Sequence, residues 1–500
     1  MSLEKTAQQD RVPFWEKLAL GTGALSSFFG FGAIGILALP VYNILLGVDA
    51  KLVGIALMIP RIWDAITDPL MGRISDNHHS KYGRRRPFVV TGALVMGTLF
   101  TFVWTVPPGL SEMMTISYFV VMQLLFFTAY TVFAVPYNAL TYEMTPDYNE
   151  RTRVMAFVAF FHKMGERLGG WMLPLATALG VTIVGAAAIV DGEKILTMPG
   201  VLGMAALIGI VVMGVLGALP GLAVKERFQR KTGSQDKVKI VDAFKGALSS
   251  PAFIILIVII FLNTLAGVLA ASIDQYLLIY FMNDGDIAAG FVQKALLSSG
   301  YGVVGFAAIP VITWLATRFG KKGSLYFVYT LMVVGSIAKW WIFTPGHTIY
   351  NIGGLAIDPV MMIDPLMCGP MWVAVKIMLS SMMADICDED ELKHGQRREG
   401  MYGAVFSWME KLVVSVAASS AGFALAFAGF NPDLGGDQTA ETFLTIRLFL
   451  AGAPALAAFL AIVALIFYPI TAKRATETRR VLEERRGAPE PEKLHKKNQE

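Results

Sequence analysis

Apolar residues in this chain do not alternate, nor do they recur as a narrow stripe; they run in long blocks separated by short connections rich in Gly, Lys and Arg. A block of roughly 20 apolar residues is what an α-helix needs to cross the hydrocarbon of a bilayer. The blocks predict twelve helices, over 17–46, 50–74, 87–107, 113–142, 153–187, 199–223, 251–283, 292–316, 322–343, 360–385, 400–430 and 441–470. Several exceed the minimum span, which predicts tilt, kinks or ends that project from the bilayer.

Composition supports that pattern. Of 500 residues, 55% are hydrophobic and 16% charged, and the mean hydropathy is +0.56. These values exclude a soluble enzyme, a coiled coil and a disordered chain. The distribution of charge then orients the helices. Lys81, Arg84, Arg85 and Arg86, then Arg151 and Arg153, then seven basic residues from Lys225 to Lys245 fall in alternate connections. The series continues with Arg318, Lys321 and Lys322, and with Lys393, Arg397 and Arg398, whereas the other connections hold little beyond Lys51 and Lys194. Basic loops stay in the cytoplasm, so both termini are expected there, in the cytoplasmic membrane. Met1 to Lys17 carries six charged residues and no small-residue cleavage site, so the first helix is expected to be retained.

The basic stretch 224–250 divides the chain into an N-terminal six-helix half, 1–223, and a C-terminal one, 251–470, with a charged, solvated cytoplasmic tail at 471–500. A weak echo supports duplication: Gly83-Arg84-Arg85-Arg86 follows span 2, and Gly320-Lys321-Lys322-Gly323 follows span 8. The expected fold is an all-α membrane protein of twelve transmembrane helices in two six-helix halves. Parallel repeats of this kind build major facilitator transporters, with the substrate site between the halves near the midplane.

An ionisable group inside a span is costly, so it faces a cavity, finds a partner and marks function. Span 2 carries Arg61, Asp64 and Asp68, spaced i, i+3, i+7 and therefore on one helical face. Two carboxylates one turn apart repel unless a cation or proton lies between them, and Arg61 neutralises only part of that charge. Hard oxygen ligands suit Na⁺ or H⁺, and Pro69 frees a carbonyl of the preceding turn as a further ligand or hinge. The alternative is a buried Arg–Asp lock that merely joins helices. Span 5 holds His162, Lys163, Glu166 and Arg167, which are open to three readings: substrate contact, an interhelix salt bridge, or a position near the cytoplasmic end. In span 11, Lys411 follows Glu410, and the lysine either anchors a substrate or competes with the cation for a span 2 carboxylate. Asn263, Asp274 and Lys376 are weaker candidates, read more readily as structural.

Charges at the cytoplasmic helix ends look mechanical. Asp76 precedes Arg84, Arg85 and Arg86, and an acidic run from Asp385 through Asp388 to Glu391 precedes Arg397 and Arg398. Opposed charges there can latch the cytoplasmic side when the cavity opens outward; positive-inside topology alone accounts for the arginines but not for the acids. Other features exclude chemistry. Cys368 and Cys387 have no ligand-like spacing, and His78-His79 lacks further ligands. No metal is expected beyond a coupling cation, no organic cofactor, and no phosphate-cradling loop to use ATP. The net charge of +4 gives no case for nucleic acid. Lipid and a small sugar-like molecule are the expected partners, and one chain the expected functional unit.

Three motifs carry a resemblance. Trp63-Asp64-Ala65-Ile66-Thr67-Asp68-Pro69-Leu70-Met71-Gly72 with Gly83-Arg84-Arg85-Arg86-Pro87 resembles the helix 2 signature of glycoside–pentoside–hexuronide:cation symporters, the melibiose-carrier branch of the major facilitator superfamily. Val135-Pro136-Tyr137-Asn138-Ala139-Leu140 is similar to a second signature, and Ala384-Asp385-Ile386-Cys387-Asp388 through Glu391 to Arg397-Arg398-Glu399-Gly400-Met401 to a third. The similarity covers nearly the whole chain. It implies cation ligation by Asp64, Asp68 and Thr131, and a cavity role for Tyr130 and Lys411.

The departures concern substrate. Melibiose-type carriers hold the sugar with an acid in helix 1 and another in helix 4. Here span 1 reads Gly23-Ala24-Leu25-Ser26-Ser27-Phe28-Phe29, the helix 4 acid corresponds to Ala134, and the nearby tryptophan to Asn138. A helix 5 arginine corresponds to Ala159, with His162, Lys163 and Arg167 close by. Ionised acceptors hold hydroxyls well, so their loss weakens the case for a galactoside, and surplus cations suit an acidic sugar. The expected function is a cation-coupled (Na⁺ or H⁺) symporter, not an enzyme, that imports a glycoside or related sugar by alternating access, with Arg61, Tyr130, Asn138, His162, Lys163 and Lys411 in the cavity. The rivals are a cation-coupled lysolipid or amphiphile carrier and a membrane sensor that binds without moving its ligand.

Overall fold

The computed structural model describes residues 11–78, 80–145, 147–190, 193–226, 246–352, 355–394 and 399–485. Arg397 and Arg398, and most of the basic central stretch, lie outside them.

Helices dominate. α1 (Phe14–Ala38) widens into a π-helical stretch at Leu39–Leu45, and α2 (Ala50–Asn77) starts on an Asp49 cap whose carboxylate accepts the Lys51 amide. α3 (Arg86–Val103) and α4 (Glu112–Tyr142) follow, then α5 (Tyr148–Gly170) and α6 (Met172–Val184). α7 (Met198–Ala206) continues through Leu207–Leu216 and Gly217–Ala223. In the second half, α8 (Pro251–Tyr276, then Leu277–Met282), α9 (Ile287–Ile342), α10 (Ile363–His394), α11 (Glu399–Phe427) and α12 (Ala440–Ile466) complete the bundle. Two short antiparallel hairpins, Ile189–Val190 with Glu193–Lys194 and Tyr350–Ile352 with Leu355–Ile357, decorate connections.

Among the described residues nine helices are long and apolar enough to cross a membrane, or ten with the bent α5–α6 pair. α9 counts once there, although Gly320 at φ 70° divides it into the two expected spans. α2 falls outside because Arg61, Asp64 and Asp68 interrupt its middle. With these two adjustments all twelve spans are present.

Three expectations need correction. The continuous helix expected over 153–187 is broken, its two parts meeting at 53°. The Gly169-Gly170 pair permits the break, and Trp171 fixes it by donating its indole N–H to Ser299 Oγ on α9 at 3.1 Å. α2 and α10 overrun their expected ends, which carries Asp76 and the acidic run onto helices. The tail is not wholly a solvated extension: Ala472–Arg485 forms α13, which packs on α10 with Leu482 buried and Arg474 paired to Glu389.

The core is divided unequally. One apolar cluster joins α1–α7 to the parts of α8, α9, α11 and α12 that lie away from the basic loops. A second gathers the basic-loop ends of α8–α12 separately. The two halves are thus fused at one end and independent at the other. At the fused end α2 and α11 cross so closely that a Cβ on Gly422 would lie 2.1 Å from the Ala50 carbonyl oxygen. Tyr276 also donates to Asn43 Oδ1 at 2.8 Å, and Ser415 to the Met58 carbonyl at 3.2 Å.

Candidate functional site

α2 places Arg61, Asp64 and Asp68 on one face, as its period requires, and α4 and α11 close over that face. Asp68 is held from both sides. Its Oδ1 accepts the Thr131 hydroxyl of α4 at 2.9 Å, and its Oδ2 takes the ammonium of Lys411 from α11. The Thr67 and Thr131 hydroxyls are 3.5 Å apart, and Trp63 donates to Thr128 at 2.9 Å, which pins α2 against α4.

One turn earlier, Asp64 is 5% exposed and Arg61 9%. The guanidinium lies 3.5 Å from Asp64 Oδ2 and donates to the Phe31 carbonyl at 2.7 Å. It also sits between two aromatic faces, 4.3 Å from the Phe31 ring and 4.6 Å from that of Phe127. Arg61 is therefore a fixed cation, held by groups other than its carboxylate. Asp64 Oδ1 is buried with no hydrogen-bond partner among the described residues, an arrangement that costs about 1–3 kcal/mol for a polar atom and more for a charged one. Lys411 also acts electrostatically on Asp64. Two carboxylates and two fixed-charge cations thus form one quartet whose formal charges cancel. Tyr130 stands beside it, its hydroxyl 3.4 Å from Ser27 Oγ of α1.

Other expected cavity residues do not join this group. Asn138 is exposed on α4, and His162 is exposed on α5 with its ring edge-on to Phe28 at 5.5 Å. Lys163 pairs with Glu166 of its own helix at 2.5 Å, and Arg167 lies over the Phe306 ring of α9 at 5.1 Å. Lys163 is thus paired within its own helix, and the cluster falls in the last third of α5, far from the basic-loop end where the helix starts.

The charges at the basic-loop end pair within their own halves. Arg85 reaches Asp76 at 2.9 Å and Glu143 at 2.6 Å, and Arg84 reaches Glu143 at 3.1 Å. Arg86 donates to the Gly221 and Leu222 carbonyls at 2.7 and 2.8 Å. Asp385 pairs with Lys321 at 2.6 Å, and Asp388 lies three residues on in α10. Sequence reasoning missed Glu226, whose carboxylate accepts the backbone N–H groups of Arg84, Arg85 and Arg86 at 2.9, 2.8 and 3.1 Å. It missed Glu143 as well. A carboxylate just beyond a span was the only signal for either.

The model of the MFS/sugar transport protein family matches residues 22–472. The chain belongs to that family. Among curated relatives, a symporter of Synechocystis sp. named as uncharacterized, sll1374, is 26% identical over 97% of this chain and 99% of its own length. The isoprimeverose transporter of Lactiplantibacillus pentosus is 22% identical, covering 92% and 90% respectively. Sodium-dependent lysophosphatidylcholine symporter 1 of Gallus gallus is 23% identical over 88% and 83%. Of solved structures, the nucleoside transporter NupG superposes with a TM-score of 0.60 at 15% identity, over 91% of this chain and 100% of that one. The fold is accordingly the all-α major facilitator fold of a multi-pass plasma-membrane transporter.

Proposed function

We propose that this protein is a cation-coupled symporter of an uncharged glycoside or related sugar. The observation that carries the proposal is the double hold on Asp68, by a hydroxyl from α4 and an ammonium from α11, beside the unpartnered Oδ1 of Asp64. Asp64, Asp68 and Thr131 supply hard oxygen atoms for Na⁺, and the carboxylates alone serve for H⁺. The quartet is already balanced, so an arriving cation makes it net positive unless Lys411 withdraws. Cation entry therefore loosens a tie between α2 in one half and α11 in the other. Coupling follows by linkage: a substrate that favours the rearranged cavity tightens cation binding as much as the cation tightens substrate.

The positive-inside pattern supports placing the basic loops and both termini in the cytoplasm. On that orientation the fused end is extracellular, the separated end cytoplasmic, and the conformation described is inward-facing. The charged pairs of Asp76, Arg84, Arg85 and Asp385 stay within their own halves, as a cytoplasmic latch does when open. The division at 224–250 into halves 1–223 and 251–470 belongs to the same reading. An uncharged substrate is favoured over an acidic one because Lys163 is neutralised by Glu166 and the quartet's own charges cancel, although Arg167 keeps its charge over the Phe306 ring. The lysolipid alternative rests on the similarity to the chicken symporter.

D64N and D68N should each abolish cation-driven accumulation in proteoliposomes while leaving substrate exchange down a gradient measurable. Unchanged accumulation in both variants would refute the assignment. Net uptake by the wild type separates a carrier from a sensor, and competition by lysophosphatidylcholine but not by glycosides would select the lysolipid reading.

A further inference from the structure

The second half contains its own set of ionisable groups. Asp274 of α8 pairs with Lys294 of α9 at 2.5 Å, both carboxylate oxygens taking part, and the ammonium also donates to the Ala271 carbonyl at 2.9 Å. Next to it Lys339, near the end of α9, pairs with Asp364 of α10 at 2.8 Å, and the Tyr301 hydroxyl donates to the same carboxylate at 2.8 Å. Two carboxylates and two ammonium groups cancel, so no ion is required to balance them.

The two pairs differ in access. The side chains of Lys339 and Asp364 are 9% and 2% exposed, whereas those of Lys294 and Asp274 are 19% and 13% exposed. Asp274 lies eight residues before Met282, and Lys294 seven residues after Ile287, so both sit about 10–12 Å inside the ends of their spans. Facing hydrocarbon at that depth costs a charge several kcal/mol, so an ion pair that remains accessible faces the space between the halves. Its neighbours on the same face of α9 agree: Ser298 and Gly302, four and eight residues on, lie against Gly170 and Arg167 of α5 in the first half.

We propose that Asp274 and Lys294 form a polar subsite for the hydroxyl groups of an uncharged glycoside. The proposal rests on the symport reading above. A carboxylate oxygen has two lone pairs and an ammonium three donors; Lys294 spends its three on Ala271 and Asp274, so what the pair offers sugar hydroxyls is the remaining lone pairs of the Asp274 carboxylate. It supplies from the second half the carboxylate acceptor that spans 1 and 4 lack. Being neutral overall, it also admits a polyol more readily than a uronate, which Asp274 repels. Tyr301, Lys339 and Asp364 are positioning residues that hold Lys294's helix against α10.

The test uses the purified full chain in detergent, with thermal shifts in NaCl and in choline chloride. The probes are p-nitrophenyl β-xyloside, α-galactoside and β-glucoside. At least one should stabilise the wild type, and D274N and K294Q should each weaken its binding about tenfold or more. The Na⁺ shift without sugar should persist in both variants. The charge swap D274K/K294D should recover thermal stability without recovering glycoside affinity, which a merely structural pair would recover as well. Affinities within about twofold of wild type in both single variants, full rescue by the swap, or a wild type stabilised by Na⁺ but by none of the three glycosides would overturn the subsite. Glycoside binding that is lost in D274N but indifferent to Na⁺ and to pH would leave the subsite standing and overturn the symport reading instead.

Discussion

The crossing of α2 and α11 offers the most direct control over conformation. Gly422 lies against backbone: a Cβ there would meet the Ala50 carbonyl oxygen at 2.1 Å, its carbon at 2.9 Å and Gly54 Cα at 3.2 Å. No flexible side chain is available to yield, so G422A must separate the two helices. Overpacking of this kind costs about 1–3 kcal/mol. If the crossing exists only while the fused end is closed, that cost falls on the conformer described here alone. The equilibrium then moves about 5- to 150-fold toward the conformer open at that end, at about 1.4 kcal/mol per factor of ten. Spin labels at Lys81 and Lys393, both exposed at the basic-loop end on opposite halves, report the change as a shortened distance in pulsed electron resonance. Melting in the same sample separates a shift between conformers from general damage. An unchanged distance distribution with a lowered melting temperature would show that the crossing does not distinguish the two conformers.

Two further expectations concern the basic-loop end. E226A leaves three backbone N–H groups at the start of α3 without their acceptor, so the melting temperature should fall by several degrees, consistent with about 1–3 kcal/mol, while the KM for uptake stays unchanged; a large KM change with normal melting would contradict a purely structural role. Glu150, ahead of the fifth span, is buried, which alone would raise its pKa, but Lys17 at 2.6 Å, the Val12 amide at 3.1 Å and Arg153 at 3.2 Å outweigh burial and hold it below the ordinary value. A depressed carboxylate contributes stability that is present above its unfolded pKa of about 4.3 and is lost as pH falls through the folded value. Melting measured from pH 6 downward should therefore fall more steeply in the wild type than in E150Q, and parallel curves would refute the assignment.

How much of this was legible depended on whether a feature is local. Arg61, Asp64 and Asp68 declare a shared face because the helical period is fixed by backbone geometry. The twelve spans declare themselves because hydrocarbon thickness sets a minimum length. Neither rule says which neighbour a face meets. Lys411 lies 343 residues from the carboxylate it holds, and its two readings in the sequence, substrate anchor or rival of the cation, are separated only by that contact. Lys339 and Asp364 show the same limit: each sits near the end of a span, where snorkelling to the interface would account for it, and only the folded bundle turns them toward each other. The bend at Trp171 was hidden because its cause is an indole hydrogen bond to Ser299 in the other half.

The quartet on α2, α4 and α11 has a consequence that follows from charge alone. With Arg61 fixed between two rings and Lys411 on Asp68, the site is neutral before any ion arrives. A monovalent cation can enter at low cost only if one of the two protein cations leaves, and Arg61 is bound to a carbonyl and two aromatic faces on its own half. Lys411, half-exposed and tied to the site through Asp68, is the one that can move. On the proposed cation-site reading, the ion and the ammonium compete for one carboxylate, and because the ammonium belongs to the opposite half, that competition would itself link ion binding to the rocking of the halves. A site with a third carboxylate would bind the ion more tightly but would let Lys411 stay, and the link would be lost.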